Sequence, residues 1–344
     1  RNEGTEAEHR LPELEQWLPH LVRLGCNAIY IGPLFESTTH GYDTKDYRIV
    51  DRRLGDNEDF KKFVKKAHEQ EIRVIVDGVF NHTGREFFAF QDIQKNREHS
   101  AYCNWYKGIN YVIRFWIHEF DIDGIRLDCA DCLPFDFMKE MRAVTTQEKQ
   151  DFWLMGEVIH GDYARWVNEE MLHSVTNYEL HKGLYSGHND HNYFEIAHTI
   201  RRQFDENGGI YRGRKLYSFV DNHDVDRIYS KLNEKSHIFP VHTLLYTLPG
   251  IPSIYYGSEF GIEGRKEGGN DDPLRPEVDL ETLKNQNMNT ELTQWIRHLG
   301  QIKAQNKELS FGKYRELLLT NRQYAFARVM DEEAVVIAVN NDEK

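Results

Sequence analysis

Four short segments of this 344-residue chain each set a carboxylate at the end of an apolar, strand-like run. They are Val76-Asp77-Gly78-Val79-Phe80-Asn81-His82, Gly124-Ile125-Arg126-Leu127-Asp128, Gly156-Glu157-Val158 and Phe219-Val220-Asp221-Asn222-His223-Asp224. Helix-length stretches separate them. Any one segment is weak evidence, and four in series are strong. In a parallel barrel, catalytic groups collect at the carboxyl ends of the strands. Carboxylates gathered there can attack carbon, give up a proton or take one back. Arg126 lies two residues before Asp128 on one strand, so both side chains share a face. A guanidinium there pairs with Asp128 and fixes its rotamer.

The elements that must position these groups alternate between strand and helix, the pattern of a parallel sheet with crossover helices. Strands are expected over 27–33, 72–79, 124–127, 152–158, 174–178, 216–220 and 251–257. Helices are expected over 11–24 (stopped by Gly25), 59–70, 112–120, 135–143, 193–204, 237–248 and 292–306. After 306 the pattern turns β-rich, with strands over 317–319, 324–329 and 334–339 and no helices between. The fold class expected is therefore α/β, a (β/α)8 barrel over residues 1–306 followed by the start of a C-terminal β-sandwich over 307–344. Seven barrel strands are found where eight are needed.

The four segments and their order resemble the four sequence regions of glycoside hydrolase family 13, the α-amylase family, over about Leu11 to Gln305. The resemblance implies retaining hydrolysis of α-1,4-glucosidic bonds, in which two carboxyl groups stand roughly 5–5.5 Å apart. It makes Asp128 the nucleophile, Glu157 the general acid/base, and Asp224 the carboxylate that binds and distorts the sugar ring. His82 and His223, each after an Asn, would hydrogen-bond sugar hydroxyls; a lone histidine would more simply be a satisfied buried one. Arg126 belongs to the same substrate-binding set. In His40-Gly41-Tyr42-Asp43, Tyr42 would stack under the sugar, the plainer alternative being a tyrosine in a turn. In Gly269-Asn270-Asp271-Asp272-Pro273-Leu274-Arg275, Asp271 and Arg275 match a pair that contacts the next sugar, and a solvated turn fits that stretch nearly as well. Asp77 and Asn81 read as structural, Asp77 holding Arg126 or a loop.

Departures narrow the resemblance. Many α-amylases carry Lys-His after the nucleophile, where this chain has Cys129-Ala130-Asp131-Cys132. The segments around Ala130-Asp131, Gly156 to His160 and Phe219 to Asp224 look more like the neopullulanase, cyclomaltodextrinase and maltogenic amylase group. That group prefers short maltodextrins and cyclic dextrins. The resemblance also implies a first barrel strand before Arg1 and a long excursion after the third strand. Here only residues 83–110 are available for that excursion, and we expect residues to be missing near Gly108-Ile109-Asn110. A 4-α-glucan transglycosylase would use the same carboxylates. A non-catalytic glycan-binding homologue would lack one of them.

The bulk numbers agree. A net charge of −13 argues against nucleic acid and suits a neutral substrate. No apolar run reaches the roughly 18 residues that cross a bilayer; the best, 238–256, is broken by His242 and three prolines. A cytoplasmic location is favoured, with secretion open. Cys129-x-x-Cys132 has the spacing of half a zinc site, but no second pair accompanies it, so reduced thiols and no metal ligands are expected. The chemistry requires no cofactor. The resemblance admits structural calcium, although no Asp-rich ligand loop is present, and it leaves a homodimer open.

Overall fold

The computed structural model describes residues 8–102, 109–286 and 288–342. Cys103 and Gly108, and with Gly108 the junction where residues are expected to be missing, lie outside the described residues. The chain divides into two compact units, Arg1–Val158 with Arg165–Val175, and Ile159–Ala164 with Thr176–Lys344.

The first unit opens where one helix is expected and two short ones form: a 3-10 segment Leu11–Trp17, then α1 (Leu18–Arg23). Pro12 and Pro19 sit in the first turn of each, and a proline inside a helix would remove a backbone donor, so the segment restarts. Gly25 ends it with φ of 80°. β1 (Ala28–Ile31) follows, then a hairpin of β2 (Phe35–Ser37) and β3 (Thr44–Val50) that the periodicity did not announce. Next come α2 (Asn57–Glu69), β4 (Arg73–Gly78), α3 (Phe88–Asn96), α4 (Ile109–Phe120), β5 (Gly124–Leu127), α5 (Phe135–Glu148), β6 (Trp153–Gly156) and β7 (Ser174–Val175).

β1, β4, β5, β6 and β7 form one parallel sheet in that order. The run Val74-Ile75-Val76 is buried throughout, as a strand covered on both faces must be. α2 starts with a capping box, Asp56 accepting from the Asp59 amide at 2.9 Å and Asp59 from the Asp56 amide at 3.3 Å. Its Phe60, Phe63, Val64 and Ala67 are buried at helical spacing. α5 runs past the expected Ala143 because Val144 and Thr145 remain buried.

In the second unit α6 (Tyr178–Asn189) begins where a strand was expected to end. The Asn177 side chain accepts from the Leu180 amide at 3.1 Å and starts the helix there. α6 packs on α7 (Tyr193–Phe204), and a Cβ on Gly187 would come within 3.0 Å of Ile196 and 3.1 Å of the Asn192 carbonyl. β8 (Tyr217–Phe219), α8 (Ile228–Lys231), α9 (Ile238–Thr247) and β9 (Ile251–Ser253) come next, with β8 and β9 paired in parallel. After α10 (Leu280–Asn285), α11 (Thr290–Gln305) and α12 (Glu308–Phe311), an antiparallel sheet of β10 (Lys313–Leu319), β11 (Gln323–Met330) and β12 (Glu333–Asn340) completes the unit. The seven expected barrel strands are thus present, five in one parallel sheet and two in a parallel pair.

Candidate active site

Register brings the first-unit groups together. Tyr30 on β1 pairs with Ile75, Asp77 on β4 with Arg126, and Arg126 on β5 with Met155. The ladder continues past the strand ends, Asp128 N–H to the Gly78 carbonyl at 3.2 Å and Glu157 N–H to Leu127 at 2.9 Å. Residues two apart share a face. Tyr30, Asp77, Arg126, Asp128 and Glu157 therefore fall on one side of the sheet.

Arg126 is the centre of this cluster and is 3% exposed. Its Nη1 donates to Asp77 Oδ1 at 2.9 Å and to Asp128 Oδ1 at 2.9 Å. Its Nη2 lies 2.8 Å from Glu157 Oε2. One guanidinium fork spans three buried carboxylates, a geometry that a point-charge ammonium could not reproduce. Burial works to lower the Arg126 pKa, but the charge of Asp77, with Tyr30 and Glu157 beyond it, holds the group well above its ordinary value. Burial pushes Asp77 up, while Arg126 and the Tyr30 hydroxyl oppose it.

Asn81 Nδ2 donates to Asp128 Oδ2 at 3.3 Å and to the Asp128 carbonyl at 3.4 Å. Its Oδ1 faces His82 Nδ1, and the His82 ring is exposed. Tyr42 is half-buried, and its hydroxyl stands close enough to Arg126 and Tyr30 to act on them electrostatically.

Cys129 follows the carboxylate in a left-handed conformation, φ 43°, and its N–H donates to Glu157 Oε2 at 3.3 Å. Its sulfur and oxygens of Asp128 and Glu157 lie within 4.8 Å of one another. Burial, reinforced by Asp128 and Glu157, pushes the thiol up to about 12. A thiol that keeps its proton is a poor nucleophile and a poor metal ligand at neutral pH.

In the second unit Arg275 gathers the remaining candidates. Its Nη2 donates to Asp224 Oδ1 at 2.9 Å and to Asp271 Oδ2 at 3.4 Å, and its Nε to the His223 carbonyl at 3.0 Å. His223 Nε2 lies 3.0 Å from Asp224 Oδ2. The Asn222 side chain accepts the Asp224 amide at 2.8 Å and fixes the turn. Lys266 Nζ stands 3.0 Å from Asp271 Oδ1. Arg275 is thus a partner of Asp224 as well as of Asp271.

Two features escaped the sequence reading. The Arg126 contact to Glu157 depends on the β5–β6 register, which spacing does not give. Tyr30 donates from its hydroxyl to Asp77 Oδ2 at 2.8 Å. A tyrosine in an apolar strand looks like packing, and only the pairing of β1 with β4 reveals its direction.

The sequence profile described as alpha amylase, catalytic domain, matches residues 11–111 and 107–306. A cyclomaltodextrinase from a Bacillus species is 30% identical, over 94% of this chain and 64% of its own length. An intracellular maltogenic amylase from Bacillus subtilis is 27% identical, over 94% of this chain and 60% of its own. A solved cyclomaltodextrinase superposes with a TM-score of 0.88 at 27% identity, covering all of this chain and 67% of that one. The chain spans about three fifths of the length of the curated relatives it matches.

Proposed function

Because this chain belongs to the α-amylase catalytic-domain family, we propose that it hydrolyses α-1,4-glucosidic bonds in short maltodextrins and cyclodextrins with retention of configuration. The observation that carries the proposal is the guanidinium of Arg126, which holds Asp128 at 2.9 Å and Glu157 at 2.8 Å and so fixes two carboxyl groups side by side. That is the equipment of a double displacement. Asp128 attacks the anomeric carbon while Glu157 protonates the leaving oxygen. Glu157 then takes a proton from water, which cleaves the glycosyl-enzyme ester and regenerates both groups.

The hydrogen bonds support a division of labour between the oxygens. Glu157 Oε2 already accepts from Arg126 and from the Cys129 N–H. A proton on that oxygen would oppose both donors, so the acidic proton belongs on Oε1. Asp128 Oδ1 is held by Arg126, leaving Oδ2, steadied by Asn81, as the attacking atom. Tyr42 and His82 are the proposed sugar contacts of the first unit, and Asp224, held by Arg275 and His223, is with Asp271 the proposed sugar-binding group of the second. No step calls for a metal or cofactor.

The fold class is a (β/α)8 barrel with a C-terminal sheet. The family profile matches in two segments that overlap at 107–111, which supports an excursion after β4 that is shortened or incomplete there. No helix among the described residues is long and apolar enough to cross a membrane. The relative named as an intracellular maltogenic amylase supports a cytoplasmic location.

Parallel digestion of β-cyclodextrin, pullulan and soluble starch tests the substrate class. The expected result is fastest release of reducing ends from the ring. Starch consumed faster than β-cyclodextrin would return the protein to the ordinary α-amylase pattern. With maltotriose, products longer than the substrate would assign transfer instead of hydrolysis.

A further inference from the structure

The hydrolytic mechanism uses Asp128, Glu157 and Arg126, yet the hydrogen-bonded chain does not end at Arg126. Behind it lies Asp77, 2% exposed, and behind Asp77 lies Tyr30. Among the described residues, the donors to the Asp77 carboxylate are Arg126 Nη1, at 2.9 and 3.1 Å, and the Tyr30 hydroxyl, at 2.8 Å. The same Nη1 serves Asp128. We propose that the Tyr30 hydroxyl is a positioning group for the carboxylate pair: through Asp77 it sets how Arg126 divides its hydrogen bonds and charge among Asp77, Asp128 and Glu157. This inference rests on the hydrolytic reading of the pair.

The physical case is one of competition for a single cation. Burial holds the Tyr30 hydroxyl well above its ordinary pKa, so it keeps its proton and donates. Asp77 is pushed toward its neutral form by burial, and Tyr30 is one of the two groups that hold it charged through hydrogen bonds. Phenylalanine at position 30 would fill the same space and remove that donor. Asp77 would then take up a proton more readily, and a neutral Asp77 no longer shares Arg126. The guanidinium would lean on Asp128 and Glu157, shifting the attacking oxygen and drawing the general acid toward its ionised form.

The test compares wild type, Tyr30→Phe, Asp77→Asn and the double variant, with maltotriose as substrate. For Tyr30→Phe we expect kcat to fall about tenfold to hundredfold, the loss that slight misplacement of a reacting group produces, with KM within about threefold. The alkaline limb of kcat/KM should move to lower pH. The double variant should be no slower than Asp77→Asn, because both changes act on one path. Losses that multiply, or a Tyr30→Phe enzyme with wild-type kcat and pH profile, would overturn the proposal.

Melting temperature against pH supplies a readout independent of turnover. The folded pKa of Asp77 is raised, so its buried charge is a liability that grows as pH rises through that value. Tyr30→Phe raises it further, so its deficit in Tm should be small near pH 4 and larger near pH 8. If the wild type cleaves no α-glucan, the hydrolytic reading fails. The two Tm curves then still decide: separation with rising pH supports Tyr30 acting on Asp77, and parallel curves overturn it.

Discussion

At the scale of single residues, the first-unit cluster is short of positive charge. Asp77, Asp128 and Glu157 are buried, and Arg126 serves all three. A buried carboxylate without a partner is expensive, so removal of the cation would be far more damaging than removal of one anion. Asp128→Asn should keep the shape and the Arg126 contact on its remaining oxygen while losing the proposed nucleophile. Turnover should fall by more than about a thousandfold, as loss of covalent catalysis requires, while titration with maltotriose shows binding within a few-fold of wild type. Turnover within tenfold of the parent would remove Asp128 from that role. Asp128 and Glu157 were legible in the sequence as strand-end carboxylates because four such segments recur in series with helix-length stretches between them, in an order that resembles the α-amylase family. Tyr30 was not, because nothing in a linear sequence says that position 30 faces position 77.

At the scale of elements, the strands and helices with uninterrupted apolar periodicity, such as β5 and α7, match their expected limits, 124–127 and 193–204. The departures have local causes. Pro12 and Pro19 divide the first helix. Gly183 and Gly187 weaken the helical signal of α6, and Gly187 is there so that α7 can approach closely. The end of α9 shows a further device. Its last carbonyls, Tyr246 and Thr247, accept from Lys303 Nζ at 3.2 Å and Arg328 Nη1 at 2.7 Å. Cations suit a helix C-terminus, but burial, with Arg328 and Lys215 nearby, pushes Lys303 down to about 7. An unfolded lysine titrates near 10.4. Between those values the unfolded chain binds the extra proton, so this residue makes stability rise with pH from about 7 to 10 and fall as pH drops back through 7. Urea unfolding of wild type and Lys303→Met across that range should show a shallower rise for the variant. Equal slopes would mean that Lys303 is charged in the folded state.

At the scale of the whole molecule, a net charge of −13 bears on the neutral sugar substrate proposed above. Electrostatic steering acts on charged ligands and is screened by salt. kcat/KM for maltotriose should therefore change less than about twofold between 20 and 200 mM NaCl, a range in which steered association would fall steeply. A steep fall would contradict this, because it would mean that salt acts on charges the protein needs to bind or cleave the neutral sugar.

The central claim is the double displacement by Asp128 and Glu157, and its most direct test is the configuration of the first product. Proton NMR of maltotriose hydrolysis, followed before mutarotation equilibrates the sugars, should show the α-anomer of the newly formed reducing end appearing first, with the β-anomer growing in later. Initial appearance of the β-anomer would mean a single displacement by water and would contradict the nucleophilic role of Asp128.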